Sequence, residues 1–388
     1  MKYATQYLTN ALRFIDEYDG SVPLHHFLKN KFAAEKKYGS KDRKHISHLC
    51  YCYFRLGHFI KNVSADERIK ISLILSGDKH WNDLLSNDQS VLLDKSLQER
   101  IAFIEAQYQQ SISSIFPWQQ QLSEGMDKEA FKLSHLQQPN LFIRVRPNAE
   151  SAVKNKLDKA GLAYEQITNS CFAFENATRL ENVIELNKEY VVQDRSSQQV
   201  GELMSTINRQ AASVWDCCAA SGGKAIMAYD LLPKIDLTVS DVRQSIIHNL
   251  KERFQQANIK TYHSFIADLT RQVPTVPHAP FDFIICDAPC SGSGTWSRTP
   301  EQLYFFKEES ITYYSNLQKK IVSNVIPFIK EGGHLLYITC SVFRKENEEV
   351  VTYIKEQLYL TLVKVELLKG YDKKADTMFA ALFTTSSL

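Results

Sequence analysis

Residues 213–224 have the sequence SVWDCCAASGGK, in which a short apolar run leads into a turn with two adjacent glycines. The run is typical of a buried β-strand, and the apolar segment after Lys224 is typical of a helix. Glycines at such a turn let the backbone approach a ligand closely, and the first helical turn presents free N–H groups to an anion. The stretch predicts a nucleotide-type site, although it matches neither the GxGxxG fingerprint nor the Walker loop.

Apolar strands alternate with helical segments from Gly201 onward, which predicts a mainly parallel α/β sheet. The predicted strands are 213–218, 236–240, 262–267, 281–286, 334–339 and 378–384. Asp216, Asp241 and Asp268 lie at the ends of the first three. Because the carboxyl ends of parallel strands share one edge, where such folds bind ligands, we expect these carboxylates to converge on a crevice. There Asp241 would accept hydrogen bonds from ribose hydroxyls.

Two later strands lead into cysteines. Cys290 lies in DAPCSGSG (287–294) and Cys340 in YITCS (337–341), so neighbouring strand ends would place the two thiols side by side. A buried thiol usually packs as a small hydrophobe, which is our interpretation of Cys50, Cys217 and Cys286. Thiols at the ligand edge of the sheet are instead placed for chemistry.

A pair of thiols beside a methyl donor fits methylation of cytosine at carbon 5, a carbon too electron-poor to attack a methyl group unaided. Addition of a thiolate to carbon 6 makes carbon 5 nucleophilic, and Asp287 near ring nitrogen 3 would stabilise the developing charge. A second thiol would assist release of the carbon-5 proton.

Composition limits the alternatives. The 388 residues carry 46 Lys and Arg against 44 Asp and Glu, so any contact with nucleic acid must rest on local patches. One such patch lies between Lys29 and Arg55, although a solvated helix face is the other interpretation of this charge run. Eight cysteines without metal-site spacing predict reduced thiols, no metal and a cytoplasmic protein. No apolar stretch has the length of a membrane span.

The patterns predict three domains. Residues 1–125 show helical periodicity, 126–196 mix short strands with helices, and 197–388 form the α/β domain.

Five motifs in this order resemble those of the RNA cytosine-C5 methyltransferase family: DCCAASGGK (216–224), SDVR (240–243), DAPCSGSG (287–294), RTPE (298–301) and YITCS (337–341). Residues 40–56 resemble the NusB-like RNA-binding domain of the family's RsmB/Sun-like branch, which acts on small-subunit ribosomal RNA. The resemblance implies an α/β fold: a Rossmann-like S-adenosylmethionine-dependent methyltransferase domain, preceded by a small α+β (RRM-like) subdomain and an all-α NusB-like domain.

The resemblance also implies roles for individual residues. It makes Cys340 the nucleophile and Cys290 the thiol that aids product release, with Lys224 and Asp287 near the target base. The residues implied to bind S-adenosyl-L-methionine are Cys218, Ala219, Ala220, Ser221, Gly222, Gly223, Lys224, Asp241, Asp268 and Asp287. Those implied to bind RNA are Arg144, Arg146 and Arg298. Ser221 stands where the family has proline, and Ala225 where it has Thr or Ser, which we expect to alter the rigidity of the turn.

We therefore predict a monomeric enzyme that acts on ribosomal RNA. Transfer RNA is the alternative substrate, and a non-catalytic RNA-binding ribosome-assembly factor is the alternative class of protein. A nicotinamide oxidoreductase is disfavoured because the glycine fingerprint is missing. An adenine-N6 methyltransferase is disfavoured because Asp-Ala-Pro-Cys replaces its Pro-Pro-aromatic segment.

Overall fold

The structure is a computed structural model that describes residues 3–207, 213–232, 234–272 and 275–385. The outermost ends of the predicted first and third domains, residues 1–2 and 386–388, fall outside these ranges. The α-helices are α1 (Ala4–Asp16), α2 (Leu24–Ala34), α3 (Ser40–Arg55), α4 (Ala65–Ser76), α5 (Asn87–Val91), α6 (Leu97–Tyr108), α7 (Lys128–Ser134), α8 (Glu150–Lys159), α9 (Arg195–Ser205), α10 (Gly223–Leu231), α11 (Gln244–Gln256), α12 (Pro300–Phe305), α13 (Glu309–Val325) and α14 (Glu348–Gln357). The strands are β1 (Leu141–Val145), β2 (Glu165–Gln166), β3 (Cys171–Phe174), β4 (Tyr190–Val192), β5 (Ser213–Asp216), β6 (Asp236–Asp241), β7 (His263–Ile266), β8 (Phe281–Asp287), β9 (Ile329–Thr339), β10 (Thr361–Leu368) and β11 (Met378–Thr384).

The chain forms two compact units, each built from separate stretches of sequence. Unit 1 comprises Met1–Gln120, Asp127–Gln138 and Thr295–Glu308. Unit 2 comprises Gln121–Met126, Pro139–Gly294 and Glu309–Leu388. Of the predicted α+β subdomain (126–196), residues 127–138 fall in unit 1 and the rest in the same unit as the large sheet. The division into three domains stays a prediction.

Unit 1 is helical, as the sequence predicts for its N-terminal part. The apolar face of α1 lies in the core, where Ala11 and Phe14 are buried beside residues of α3. Helix α4 begins after Ser64, whose hydroxyl accepts a hydrogen bond from the backbone N–H of Glu67 at 3.2 Å. None of the helices in the described ranges has the length and apolar character needed to cross a membrane.

The basic segment between Lys29 and Arg55 does not act as one surface. Arg55 is buried, and its guanidinium donates to the carbonyl oxygens of Gln137 and Ser297 at 2.9 Å. Lys31 pairs with Glu17. Five lysines of the segment are exposed: Lys29, Lys36, Lys37, Lys41 and Lys44. Lys37 pairs with Glu35 at 3.0 Å.

Unit 2 contains two sheets. The smaller has the order β2-β3-β1-β4 and is antiparallel. The larger has the order β10-β11-β9-β8-β5-β6-β7, in which β7, β6, β5, β8 and β9 are parallel and β11 runs antiparallel between β9 and β10. The mainly parallel α/β fold is confirmed.

The topology places the ligand edge. From β5 the chain builds β6 and β7 outward on one side, then returns to add β8 on the other side. A crevice forms at such a reversal of strand order, outside the carboxyl ends of the strands. The turn after β5 and the loops after β8 and β9 therefore meet at this edge.

Candidate active site

The turn between β5 and α10 has the backbone shape that its glycines allow. Gly222 has a φ of +82°, and a Cβ there would lie 2.8 Å from the ring of Phe254. A Cβ built on Gly223 would meet nothing within 4 Å. The backbone at the N-terminus of α10 is thus open to a ligand.

A cavity of about 480 Å³ lies against this turn, a volume in the range of ligand pockets. Its wall contains Cys218 and Ala220 from the turn, with Asp241, Asp268 and Asp287 from the ends of β6, β7 and β8. The structure therefore brings together residues that the sequence predicted from four separate segments.

Two of the wall carboxylates have partners of their own. The backbone N–H of Ala220 donates to Asp241 at 3.2 Å, and the exposed Arg243 guanidinium pairs with the same carboxylate at 3.1 Å. Asp268 accepts hydrogen bonds from Thr270, which lower the pKa of its carboxyl. For Asp241 to accept ribose hydroxyls, the Arg243 side chain has to turn toward solvent.

Asp216 differs from the other strand-end carboxylates. It is fully buried and does not belong to the cavity wall. Burial, and next the negative charge of Asp287, raise its pKa well above the usual value. The expectation that Asp216, Asp241 and Asp268 converge on one crevice is therefore wrong for Asp216.

The two strand-end cysteines meet. The sulfur atoms of Cys290 and Cys340 lie 3.2 Å apart, and both residues are partly exposed. Strands β8 and β9 are neighbours in parallel register, which brings their following loops together. The thiol of Cys290 hydrogen-bonds the Cys340 sulfur, and this bond together with burial raises the pKa of Cys290 well above its usual value.

A buried carboxylate holds the two cysteine loops. Glu346 accepts hydrogen bonds from the Ser291 backbone N–H at 2.9 Å and from the Ser341 hydroxyl at 2.8 Å. Gln318 donates to the same carboxylate at 3.0 Å. Burial raises the pKa of Glu346 despite these bonds. No sequence pattern marks Glu346, because the run Glu346–Glu349 contains three acidic residues and only the fold determines which of them is buried.

Glycine is required where the loop after β8 crosses Cys340. The backbone N–H of Gly294 donates to the Cys340 carbonyl oxygen at 2.8 Å, and the Gly294 carbonyl accepts from Thr377 at 2.9 Å. A Cβ on Gly294 would lie 1.9 Å from the Thr377 oxygen. No larger residue fits there without a shift of the backbone.

Lys224 and Asp287 form a pair at the edge of the cavity. The ammonium of Lys224 lies 3.1 Å from an Asp287 oxygen and 2.7 Å from the Ser197 hydroxyl. The Lys224 side chain is mostly buried, whereas that of Asp287 is about a third exposed. The carboxylate therefore faces the cavity with a positive charge behind it.

The three predicted RNA-binding arginines are placed differently. Arg144 is buried and Arg146 is largely buried, and both guanidiniums pair with Asp230 of α10 at 2.7 Å. These pairs tie the small sheet to α10, so the structure gives no support to a contact of either arginine with RNA. Arg298 lies in unit 1, half-buried in the turn before α12.

Comparison with known proteins shows a family match for part of the chain. Residues 202–381 match the family described as 16S rRNA methyltransferase RsmB/F. The match covers a little under half of the chain, and this stretch is similar to the RsmB/F methyltransferases.

Curated relatives of this stretch carry matching names. The chain is 29% identical over 229 residues to ribosomal RNA small subunit methyltransferase B of Proteus mirabilis strain HI4320. This alignment covers 55% of this chain and 51% of that protein. It is 32% identical over 172 residues to the probable ribosomal RNA small subunit methyltransferase B of Bacillus subtilis strain 168, which covers 44% and 38%. The chain thus spans about half or less of the length of these relatives.

Two solved structures share the fold. PH0851 aligns over 98% of both chains with a TM-score of 0.71 and 18% identity. NSun6 from Pyrococcus horikoshii, whose structure was determined with SFG, aligns over 69% of this chain and 97% of its own with a TM-score of 0.60 and 14% identity.

Proposed function

We propose that the protein is an S-adenosyl-L-methionine-dependent RNA (cytosine-C5)-methyltransferase acting on small-subunit ribosomal RNA. A covalent bond between Cys340 and carbon 6 of the cytosine would form and then be resolved with help from Cys290. The observation that carries this proposal is the 3.2 Å distance between the two sulfurs, at adjacent strand ends of a domain similar to the RsmB/F methyltransferases.

The cavity beside the glycine turn fits S-adenosyl-L-methionine. The empty space in front of Gly223 leaves room for the amino-acid part of the cofactor at the N-terminus of α10. Asp241 would bind the ribose hydroxyls, and Asp268 belongs to the same wall. When bound, the cofactor supplies an electrophilic methyl group.

The two thiols would have different roles in the reaction, Cys340 as the nucleophile and Cys290 in proton transfer. The Cys340 thiolate adds to carbon 6, and the electron pair displaced from the 5,6 double bond makes carbon 5 nucleophilic. Asp287 would have to be protonated to donate a hydrogen bond to nitrogen 3 and so stabilise the negative charge that develops there, and Lys224 lies beside it. When the bond between Cys340 and carbon 6 breaks, the Cys290 thiol would give its proton to the departing Cys340 sulfur and take up the carbon-5 proton in exchange.

Two observations favour ribosomal RNA. The matched family and the named relatives carry small-subunit ribosomal RNA in their descriptions. The exposed lysines of the segment from Lys29 to Lys44 offer charges for phosphate contacts. The target cytosine has to be unpaired or flipped out, because both faces of its 5,6 bond must be reached.

Bisulfite sequencing of RNA from a strain that lacks the gene tests the proposal. We expect one small-subunit ribosomal cytosine to lose protection, and the purified protein to restore it with S-adenosyl-L-methionine. Loss of protection at a transfer RNA cytosine instead would show that the substrate is transfer RNA and would leave the proposed cytosine-C5 chemistry standing. Unchanged protection throughout cellular RNA would favour the non-catalytic assembly factor.

A further inference from the structure

Three thiols outside the Cys290–Cys340 pair also converge in unit 2. The sulfur atoms of Cys217, Cys218 and Cys286 all lie within 4.8 Å of one another. Cys217 directly follows β5 and Cys286 lies in β8, and these strands pair in parallel with Asp216 opposite Ile285. Parallel pairing therefore places the next two residues, Cys217 and Cys286, opposite each other, with Cys218 closing the group.

We propose that Cys217, Cys218 and Cys286 form a binding site for a thiophilic divalent cation, with Zn²⁺ as the ion. A Zn–S bond is about 2.3 Å long, so three tetrahedrally arranged sulfurs lie about 3.8 Å apart. The observed group reaches that spacing through side-chain rotation of less than about 1 Å per sulfur.

The surroundings of the three thiols suit a cation. Cys217 and Cys286 are buried, at 1% and 0% exposure, and Cys218 is partly exposed. Cys217 and Cys218 belong to the wall of the 480 Å³ cavity, which supplies a path for the ion and room for a water as fourth ligand. Asp287, next to Cys286 in the chain, adds negative charge at this place.

The binding step balances as an exchange of protons for metal. Three S–H bonds break, three Zn–S bonds form, and three protons pass to solvent for each ion bound. No oxidant or reductant is required. The motif spacing gave no sign of this site, because Cys286 is 68 residues beyond Cys218 and joins it only through strand pairing.

Titration of the full chain with Cd²⁺ tests the site, because cadmium thiolates have an ultraviolet charge-transfer band. Replacing Cys290 and Cys340 together with serine first removes the other thiol pair. In this background, without any methyl donor, we expect one Cd²⁺ per chain, displaced by Zn²⁺. Cys286→Ala should abolish the band, and Cys171→Ala, a matched buried thiol in β3, should leave it unchanged.

Circular dichroism of each metal-free variant separates loss of the site from loss of the fold, and Cys217→Ala replaces Cys286→Ala if the latter does not fold. X-ray absorption of the Zn²⁺-loaded chain with Cys290 and Cys340 replaced needs no variant in the cluster. We expect three sulfur neighbours at about 2.3 Å. A band that survives the cluster substitution, no band in the serine background, or fewer than three sulfurs around zinc would overturn the proposal.

Discussion

The backbone amide of Gly294 donates to the carbonyl oxygen of Cys340 across 2.8 Å, so the loop after β8 and the loop after β9 are joined at the proposed nucleophile. Gly294→Ala places a methyl group where the Thr377 oxygen lies. We expect a loss of about 3 kcal/mol in the free energy of unfolding, because the backbone must shift. Urea denaturation measures it, with Gly223→Ala as a folding control that meets no atom within 4 Å. An equal effect of the two substitutions would contradict this reasoning.

The proposed roles of Cys340 and Cys290 predict opposite effects of their alanine substitutions on the covalent protein–RNA adduct. Cys340→Ala should reduce methyl transfer to background and form no covalent complex with RNA, because the nucleophile is gone. Cys290→Ala should accumulate a protein–RNA adduct on a denaturing gel, because the adduct still forms but is resolved slowly. Cys171→Ala serves as the buried control. An adduct with Cys340→Ala instead would reverse the two roles.

Glu346 acts on the cysteines through their loops. Glu346→Ala leaves the Ser291 amide, the Ser341 hydroxyl and the Gln318 amide without their common acceptor, at an expected cost of about 3 kcal/mol. Glu346→Gln keeps one oxygen for the two N–H donors and should cost about 1 kcal/mol.

Glu349→Ala, at a partly exposed side chain, is the matched control for Glu346, with an expected change in unfolding free energy below about 0.5 kcal/mol. The rate of covalent adduct formation should fall in the same order, most in Glu346→Ala, less in Glu346→Gln and least in Glu349→Ala. A Glu346→Ala protein as stable as Glu349→Ala would show that the network adds nothing.

Arg243 competes for the carboxylate that is assigned to the ribose. Arg243→Ala should tighten binding of S-adenosyl-L-methionine by about threefold, since an exposed ion pair is worth up to about 1 kcal/mol. Asp241→Asn should weaken binding. Isothermal titration calorimetry measures both, with Lys188→Ala as an exposed control. Weaker binding in Arg243→Ala would mean that the guanidinium contacts the cofactor.

Acid should destabilise unit 1 through His135. Burial lowers the pKa of this histidine to about 3, whereas an unfolded chain has a value near 6.5. The unfolded state therefore binds more protons between about pH 6.5 and pH 3. Stability is lost as the pH falls through this window, by at most about 1.4 kcal/mol per pH unit.

Replacing His135 with phenylalanine should flatten that part of the pH profile of denaturant unfolding. His248→Phe, at a largely exposed histidine, should leave the profile unchanged. A profile with the same slope in His135→Phe would assign the acid sensitivity to other groups.

Most of the large sheet could be predicted from sequence, because its parallel strands β5, β6 and β8 and the second half of β9 are mostly buried and so form short apolar runs between helices. Strand β10 was missed. It lies at the sheet edge with Val363 and Val365 exposed, so its side chains do not separate into a buried and an exposed face. Strand β9 begins at Ile329 rather than at His334, because Gly332 and Gly333 interrupt the apolar run while the backbone stays in the sheet.

Some features of the candidate site could likewise be predicted from the sequence, and others could not. The positions of Cys290, Cys340 and Asp287 followed from the rule that parallel strand ends meet at one edge. The partners of Arg144 and Glu346 did not, because a buried polar group finds its partner through tertiary structure. Asp230 lies 86 residues from Arg144, and no local pattern marks the pair.

The discontinuity of unit 1 has a consequence for synthesis. The last segment of unit 1, Thr295–Glu308, ends at residue 308 of 388 and lies between β8 and β9 in the sequence. During translation the early helices must therefore wait for this segment before they can complete their packing, although domains made first generally fold first. The N-terminal helices can therefore complete their packing only late in synthesis, shortly before the proposed nucleophile Cys340 is made. Because each unit consists of several stretches of sequence, no single cleavage of the polypeptide can release either unit whole.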